Sequence, residues 1–266
     1  MSCFPFTSSV HSPESKGKTF GWPFHYKKSL ILVIKFPAMT NKEYRESLME
    51  AYVIKSTVKQ QVFANTAESF LILKKVLRQL EKDYINVLKG KIPDNALPRY
   101  QEKGPFEMDF QVGEDLLLFS MHSNVFEFDN KHPINQIKYV QDDPLRSYCG
   151  MVMIYNFLAD SFKYNRINDL GYMIARIFIN KDKHFFVEGK RQTGELMKDF
   201  AVDTISPGIL REIVETAIEY SVQFDLLVPP YEQVKIATVD QMMEKISHSK
   251  MTTGKRLGFG FRTDDV

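Results

Sequence analysis

The chain has 266 residues, of which 44% are hydrophobic, 26% charged and 13% aromatic, with a formal net charge of +2. These fractions are those of ordinary globular proteins, and the length suffices for a full core in one or two domains, so disordered, collagen-like and disulfide-scaffold classes are excluded. A near-neutral charge argues against binding DNA or anionic lipid through the bulk field, and the only cysteines, Cys3 and Cys149, are far apart without CxxC spacing, which fits a reducing, cytoplasmic setting and leaves no cysteine-held metal site.

Residues 1–38 differ in kind from the rest. They are rich in Ser, Phe, Lys and Pro, carry one acid (Glu14) and hold the only tryptophan, Trp22. The apolar run Leu30 to Ile34 is short, is followed by Lys35 and lacks a small-x-small cleavage site, so it matches a secretory signal poorly. It is also far below the roughly 20 apolar residues that a membrane span needs, and no membrane partner is expected. The expected reading is a non-domain leader, with Met39 as the natural start and Cys149 as the only cysteine of the functional chain.

From Thr40 to Leu88 there is no Gly or Pro, and apolar residues recur at helical spacing: Leu48, Ala51, Val58 and Val62, then Phe70, Leu73, Leu77, Leu80, Tyr84 and Leu88. Asn65-Thr66-Ala67-Glu68 has the spacing of a capping box, which predicts a break or kink near Ala64. Gly90 and Pro93 close the second part. The steps of three and four through Phe70, Leu73, Leu77, Leu80 and Tyr84 follow a heptad seam for about two heptads. Two readings stay open here: helices packed on a sheet or on each other, or a dimer or partner seam through Leu73, Leu77 and Leu80.

The middle of the chain predicts an antiparallel meander: Phe106 to Val112, Asp115 to Met121 and Val125 to Phe128, separated by Gly113-Glu114 and Ser123-Asn124. After a polar stretch broken at Asp142-Asp143-Pro144 come the apolar run Cys149 to Leu158 and the strands Tyr172 to Ile179 and Phe185 to Gly189. A three-residue loop Lys181-Asp182-Lys183 between the last two sets Phe178 opposite Phe186, Ile177 opposite Val187 and Arg176 opposite Glu188. Met173, Ala175, Ile177, Phe185 and Val187 then share one apolar face, while opposite charges pair on the other.

Downstream, Ser206-Pro207 is a helix start with a cap residue and then Pro at the first helical position, followed by the stripe Ile209, Leu210, Ile213, Val214, Ala217 and Ile218. Phe224 to Val228 reads as a buried strand, and Thr238 to Gln241 has capping-box spacing. The expected fold is α+β: a mostly antiparallel sheet of about five to seven strands flanked by helices, with a long helical N-terminal region. The expected organisation is the leader 1–38, a helical region 39–91, an antiparallel α+β domain 92–248 and a basic aromatic tail 249–266.

Candidate chemistry centres on Asp169 and the string Glu188-Gly189-Lys190. This set resembles the Asp…Glu-x-Lys pattern of the restriction-endonuclease-like nucleases, which implies two carboxylates on a divalent metal that activates water, with the lysine beside the attacking or departing oxygen. The hairpin register opposes it: Glu188 faces Arg176, seven residues from Asp169, or on the order of 20 Å along a strand at roughly 3.3 Å per residue. The six histidines show no HxxxH pairing. Gly254-Lys255 lacks the upstream glycine of a phosphate loop, and no GxGxxG or GxSxG occurs, so neither a metal nor another cofactor is implied.

The tail is more distinctive. Between Lys245 and Arg262 there is no acid, while Lys250, Lys255, Arg256 and Arg262 interleave with Leu257, Phe259 and Phe261. Cations neutralise phosphates and exposed Phe rings stack on unpaired bases, so these residues form a nucleic-acid candidate. The alternation through Leu257, Phe259 and Phe261 is equally that of an edge strand burying large side chains. The expected function is a non-catalytic interaction or assembly module with a protein partner or a second copy, the alternatives being a nucleic-acid binder and a metal-dependent nuclease.

Overall fold

The computed structural model describes residues 41–189, 199–223, 230–236, 238–240 and 243. The chain divides into two compact units, Met1–Leu48 and Met49–Val266. The first contributes the opening turns of helix α1 (Asn41–Leu88), and the second holds the sheet. The leader, the basic tail, Lys190 and the expected strand Phe224 to Val228 lie outside the described residues.

The second unit is built on one antiparallel sheet of seven strands: β1 (Arg99–Gly104), β2 (Glu107–Val112), β3 (Asp115–Met121), β4 (Phe126–Glu127), β5 (Tyr148–Leu158), β6 (Tyr172–Asn180) and β7 (Phe185–Gly189). The order is β1-β2-β3-β5-β6-β7, with the short β4 pairing against the start of β5. The short helices α2 (Lys138–Asp142) and α3 (Ala159–Lys163) lie in the connections before and after β5, and α4 (Pro207–Val222) and α5 (Tyr231–Val234) follow the sheet. This is the α+β architecture that the pattern of elements predicts. Among the described residues no helix is long and apolar enough to cross a membrane.

The β6–β7 register is the one that the three-residue loop predicts, with Phe178, Ile177 and Arg176 opposite Phe186, Val187 and Glu188. The three-residue loop works because Lys183 adopts φ +61°, the left-handed residue that closes such a hairpin. One residue departs from the expected face. The pairing of β5 with β6 shifts by one between Ile154 and Tyr155, so beyond this bulge Tyr172 and Ile174 enter the core and Met173 is left half-buried.

One face of the sheet packs on α1 and α4. Phe70, Leu73, Leu77 and Leu80 of α1 and Leu210, Ile213, Val214 and Ala217 of α4 close over Phe110, Leu117, Phe119, Ile154 and Ile177. Ser206 caps α4, its Oγ accepting the Ile209 N–H at 3.3 Å, with Pro207 at the first position. Among the described residues the opposite face is covered at one end by short elements: Phe128, Ile134, Val140 of α2 and Phe200 pack on Met151, Phe178 and Phe186, with the Phe178 and Phe186 rings stacked at 4.9 Å. Cys149 is fully buried in that cluster, and burial pushes its thiol well above the ordinary range.

One sequence expectation is corrected, and one strand appears that the sequence pattern did not predict. The break near Ala64 does not form, and α1 runs through it without interruption. Asn65 spends its side chain elsewhere, donating to the carbonyls of Asn180 at 3.1 Å and Lys181 at 2.7 Å in the β6–β7 turn. The unpredicted strand is β1, which has no apolar alternation. Its outer edge is satisfied by α1, where Glu81 Oε1 accepts the Tyr100 N–H at 2.8 Å and Lys74 donates to the Gly104 carbonyl at 3.0 Å while pairing with Glu102. These contacts blunt an edge that would otherwise offer free ladder groups.

Candidate functional site

Among the nuclease-like residues, Glu188 is exposed and forms an ion pair with Arg176, its cross-strand neighbour. Asp169 works in a different place. It accepts a hydrogen bond from Ser161 Oγ at 2.6 Å and pairs with Arg166 Nε at 2.8 Å, tying together the loop from α3 to β6. Lys190 lies outside the described residues, as do Lys250, Lys255, Arg256, Phe259, Phe261 and Arg262 of the nucleic-acid candidate. Among the described residues no three His, Cys, Asp or Glu side chains converge as a metal site would require. Leu73, Leu77 and Leu80, the seam candidates, are buried in the chain's own core against the sheet.

A dense polar cluster surrounds the β6–β7 turn. The Oδ1 of Asn180, itself fully buried, accepts the Asp182 N–H at 2.9 Å and the His184 N–H at 3.0 Å, and its Nδ2 donates to Tyr139 Oη at 3.1 Å. Tyr139 in turn donates to Asp182 Oδ2 at 2.9 Å, and Arg146 Nε donates to the same oxygen at 3.0 Å with its guanidinium over the Tyr139 ring. Lys181 pairs with Asp143 at 3.0 Å and Asp182 at 3.2 Å. Burial pushes the Tyr139 hydroxyl up to about 12, the Asp182 carboxylate adding to the shift. Asp182 is pushed upward by burial too, but hydrogen bonds from Tyr139 and Lys181 outweigh it and hold the carboxyl below its ordinary value.

That depression has a sign that can be tested. A carboxyl with a folded-state pKa below its unfolded one contributes stability at neutral pH, and the contribution disappears as pH falls through the folded value. Asp182→Asn is expected to cost stability at pH 7 and progressively less as pH falls below the ordinary carboxylate value, so the difference between the two urea midpoints narrows on acidification. A difference that stays constant between about pH 6 and pH 3 would remove Asp182 from the acid-sensitive groups. The cluster ties α1, α2 and the turn to one another; its polar atoms are turned on each other.

The open surface lies along another face of α1. Every residue from Met49 to Lys55 is exposed, and the large apolar side chains Met49, Tyr52 and Val53 stand at 59%, 69% and 60% exposure. Met49, Val53, Ser56, Gln60 and Phe63 follow one another in steps of four and three, so they lie along one stripe of the helix. This stripe runs into a groove of about 540 Å³ between α1 and the link from β3 to β4, where Lys59, Gln60 and Phe63 face Asn124, Val125 and Phe126. A second hollow of about 310 Å³ adjoins it at Ser123, floored by Phe106, Met121 and Met153. The Phe63 and Phe106 rings meet edge to face at 6.1 Å between the two. Beside them His122 Nδ1 accepts the Asn124 N–H at 3.0 Å.

The most regular apolar stripe of α1, through Leu73, Leu77 and Leu80, is the one that the sheet covers. The exposed stripe is interrupted by Ser56 and Gln60, and its apolar members emerge only once the sheet has covered the rest. Comparison with family models, with curated proteins and with solved structures finds no match for this chain.

Proposed function

We propose that the protein is a non-catalytic interaction module whose contact surface is the exposed stripe of α1 from Met49 to Val53 together with the groove that continues it. One observation carries this reading: a stretch of α1 with every side chain exposed bears three large apolar residues on one stripe. Short helical stretches owe their stability in proteins to tertiary packing of an apolar face. Contiguous exposed apolar surface of this kind is the mark of an interaction site. Covering a large apolar side chain fully contributes about 1.5–3 kcal/mol, so three of them supply a real driving force.

The test is a photo-reactive side chain placed at Tyr52 in the full chain, in its native cell, with Glu212 as the exposed control position on α4. A discrete covalent adduct is expected from position 52 and not from 212. The reading is overturned if position 52 yields no adduct above the control.

A further inference from the structure

Resting on that reading, we infer that the occupant of the groove is a second copy of this chain, and that two copies pair through antiparallel α1 helices crossing at Ser56. The surface on either side of Ser56 is self-complementary. N-terminal to Ser56 the stripe has apolar side chains and no wall, for Met49, Tyr52 and Val53 are exposed. C-terminal to it the stripe has a wall and no filling, for Lys59, Gln60 and Phe63 line the open groove with Asn124, Val125 and Phe126.

Met49 and Phe63 stand seven residues before and after Ser56. A two-fold axis through Ser56 therefore lays Met49 of each copy against Phe63 of the other, and Tyr52 and Val53 against Gln60 and Lys59. Both half-sites are completed by the same operation, as an isologous interface requires. Ser56 is half-buried and small, which lets the two helices approach closely at the crossing.

The charges permit this arrangement. Glu50 comes level with the neutral Val62 and Gln61, and Lys55 with Thr57, so no like charges are opposed at the same level. Lys59 comes level with Val53 and next to Tyr52 of the other copy, whose ring face suits a cation. A parallel pairing would instead set Met49 on Met49 and leave both grooves empty.

Disulfide trapping separates these geometries, in a Cys3→Ser background where the buried Cys149 is the only other thiol. Positions 49 of two antiparallel copies lie about 14 residues apart along the helix, or about 21 Å at 1.5 Å per residue. Ser56→Cys is therefore expected to give a covalent dimer under mild oxidation, and Met49→Cys none. Sedimentation of the full chain is expected to show a dimer, with Tyr52→Glu weakening it at least about tenfold while leaving the fold intact, since Tyr52 contributes nothing to the core.

Dimers from both cysteine variants would mean parallel pairing and overturn the inference, as would a wild-type chain that stays monomeric at about 100 μM, a concentration at which even a weak specific dimer is populated. A Tyr52 photo-adduct of any mass other than twice the chain, with the chain itself monomeric, overturns the second copy as occupant and leaves the interaction surface standing. The absence of any adduct overturns both.

Discussion

Gly150→Ala is expected to lower the unfolding free energy by about 3 kcal/mol, at the upper end of what one added methyl costs in a packed core. Gly150 lies on β5 opposite Ile179, on the face that α1 covers. A Cβ built there would stand 2.0 Å from Thr66 Oγ1, 2.8 Å from its Cβ and 2.9 Å from its Cγ2. No rotamer of Thr66 relieves this, because turning χ1 only cycles Oγ1, Cγ2 and Hβ through the three staggered positions and leaves Cβ 2.8 Å away. Thr66 is itself fully buried, with its hydroxyl donating to the Val62 carbonyl at 2.7 Å. Relief requires α1 to back away from the sheet, which would open the contacts of Val62 and Phe70 at the same time.

Urea denaturation checks this, with Gly104→Ala as the control, since an added Cβ there meets nothing within 4 Å. The control is expected to change stability by less than about 1 kcal/mol. Thr66→Ala in the Gly150→Ala background should recover part of the loss, because two of the three close atoms go and the Cβ remains. Equal midpoints for the two glycine variants would show that α1 does not rest on β5 at this point.

How much of this was legible in the sequence depends on how local each determinant is. The β6–β7 hairpin could be registered residue by residue because Arg176 and Glu188, and Phe178 and Phe186, constrain the alignment from within one short segment. The bulge beside Ile154 could not, since it belongs to the pairing of β5 with β6, and it moved Met173 off the expected face. β1 escaped notice because Arg99, Gln101, Glu102 and Lys103 show no apolar alternation. Its place is held by α1 side chains more than fifteen residues away in sequence. The capping-box reading at Asn65 failed for the same reason, its true acceptors lying 115 and 116 residues downstream.

The candidate sites follow this division too. A heptad spacing states that Leu73, Leu77 and Leu80 will be covered, but not by what, and the sheet covers them. The exposed stretch from Met49 to Val53 is defined by what fails to pack on it, and no single-segment periodicity carries that information.

The second large effect is expected at Asn180. Asn180→Leu should cost about 3 kcal/mol, because it removes the acceptor shared by the Asp182 and His184 N–H groups and the donor to Tyr139 Oη in a place that solvent does not reach. A leucine has the same number and branching of side-chain heavy atoms, so no cavity opens and the loss comes chiefly from the hydrogen bonds. Asn65→Ala should cost less, about 1–2 kcal/mol, as its Nδ2 bonds to two carbonyls of the same turn from a half-buried position. The two substitutions are not independent. The Asn180 side chain shapes the turn whose carbonyls Asn65 binds, so once Asn180 is gone those carbonyls are no longer held in place for α1 to engage. The double variant is therefore expected to lose less than the sum of the singles, by on the order of 1 kcal/mol in a double-mutant cycle. Additivity within about 0.5 kcal/mol would mean that the turn keeps its shape without Asn180 and that α1 anchors it alone.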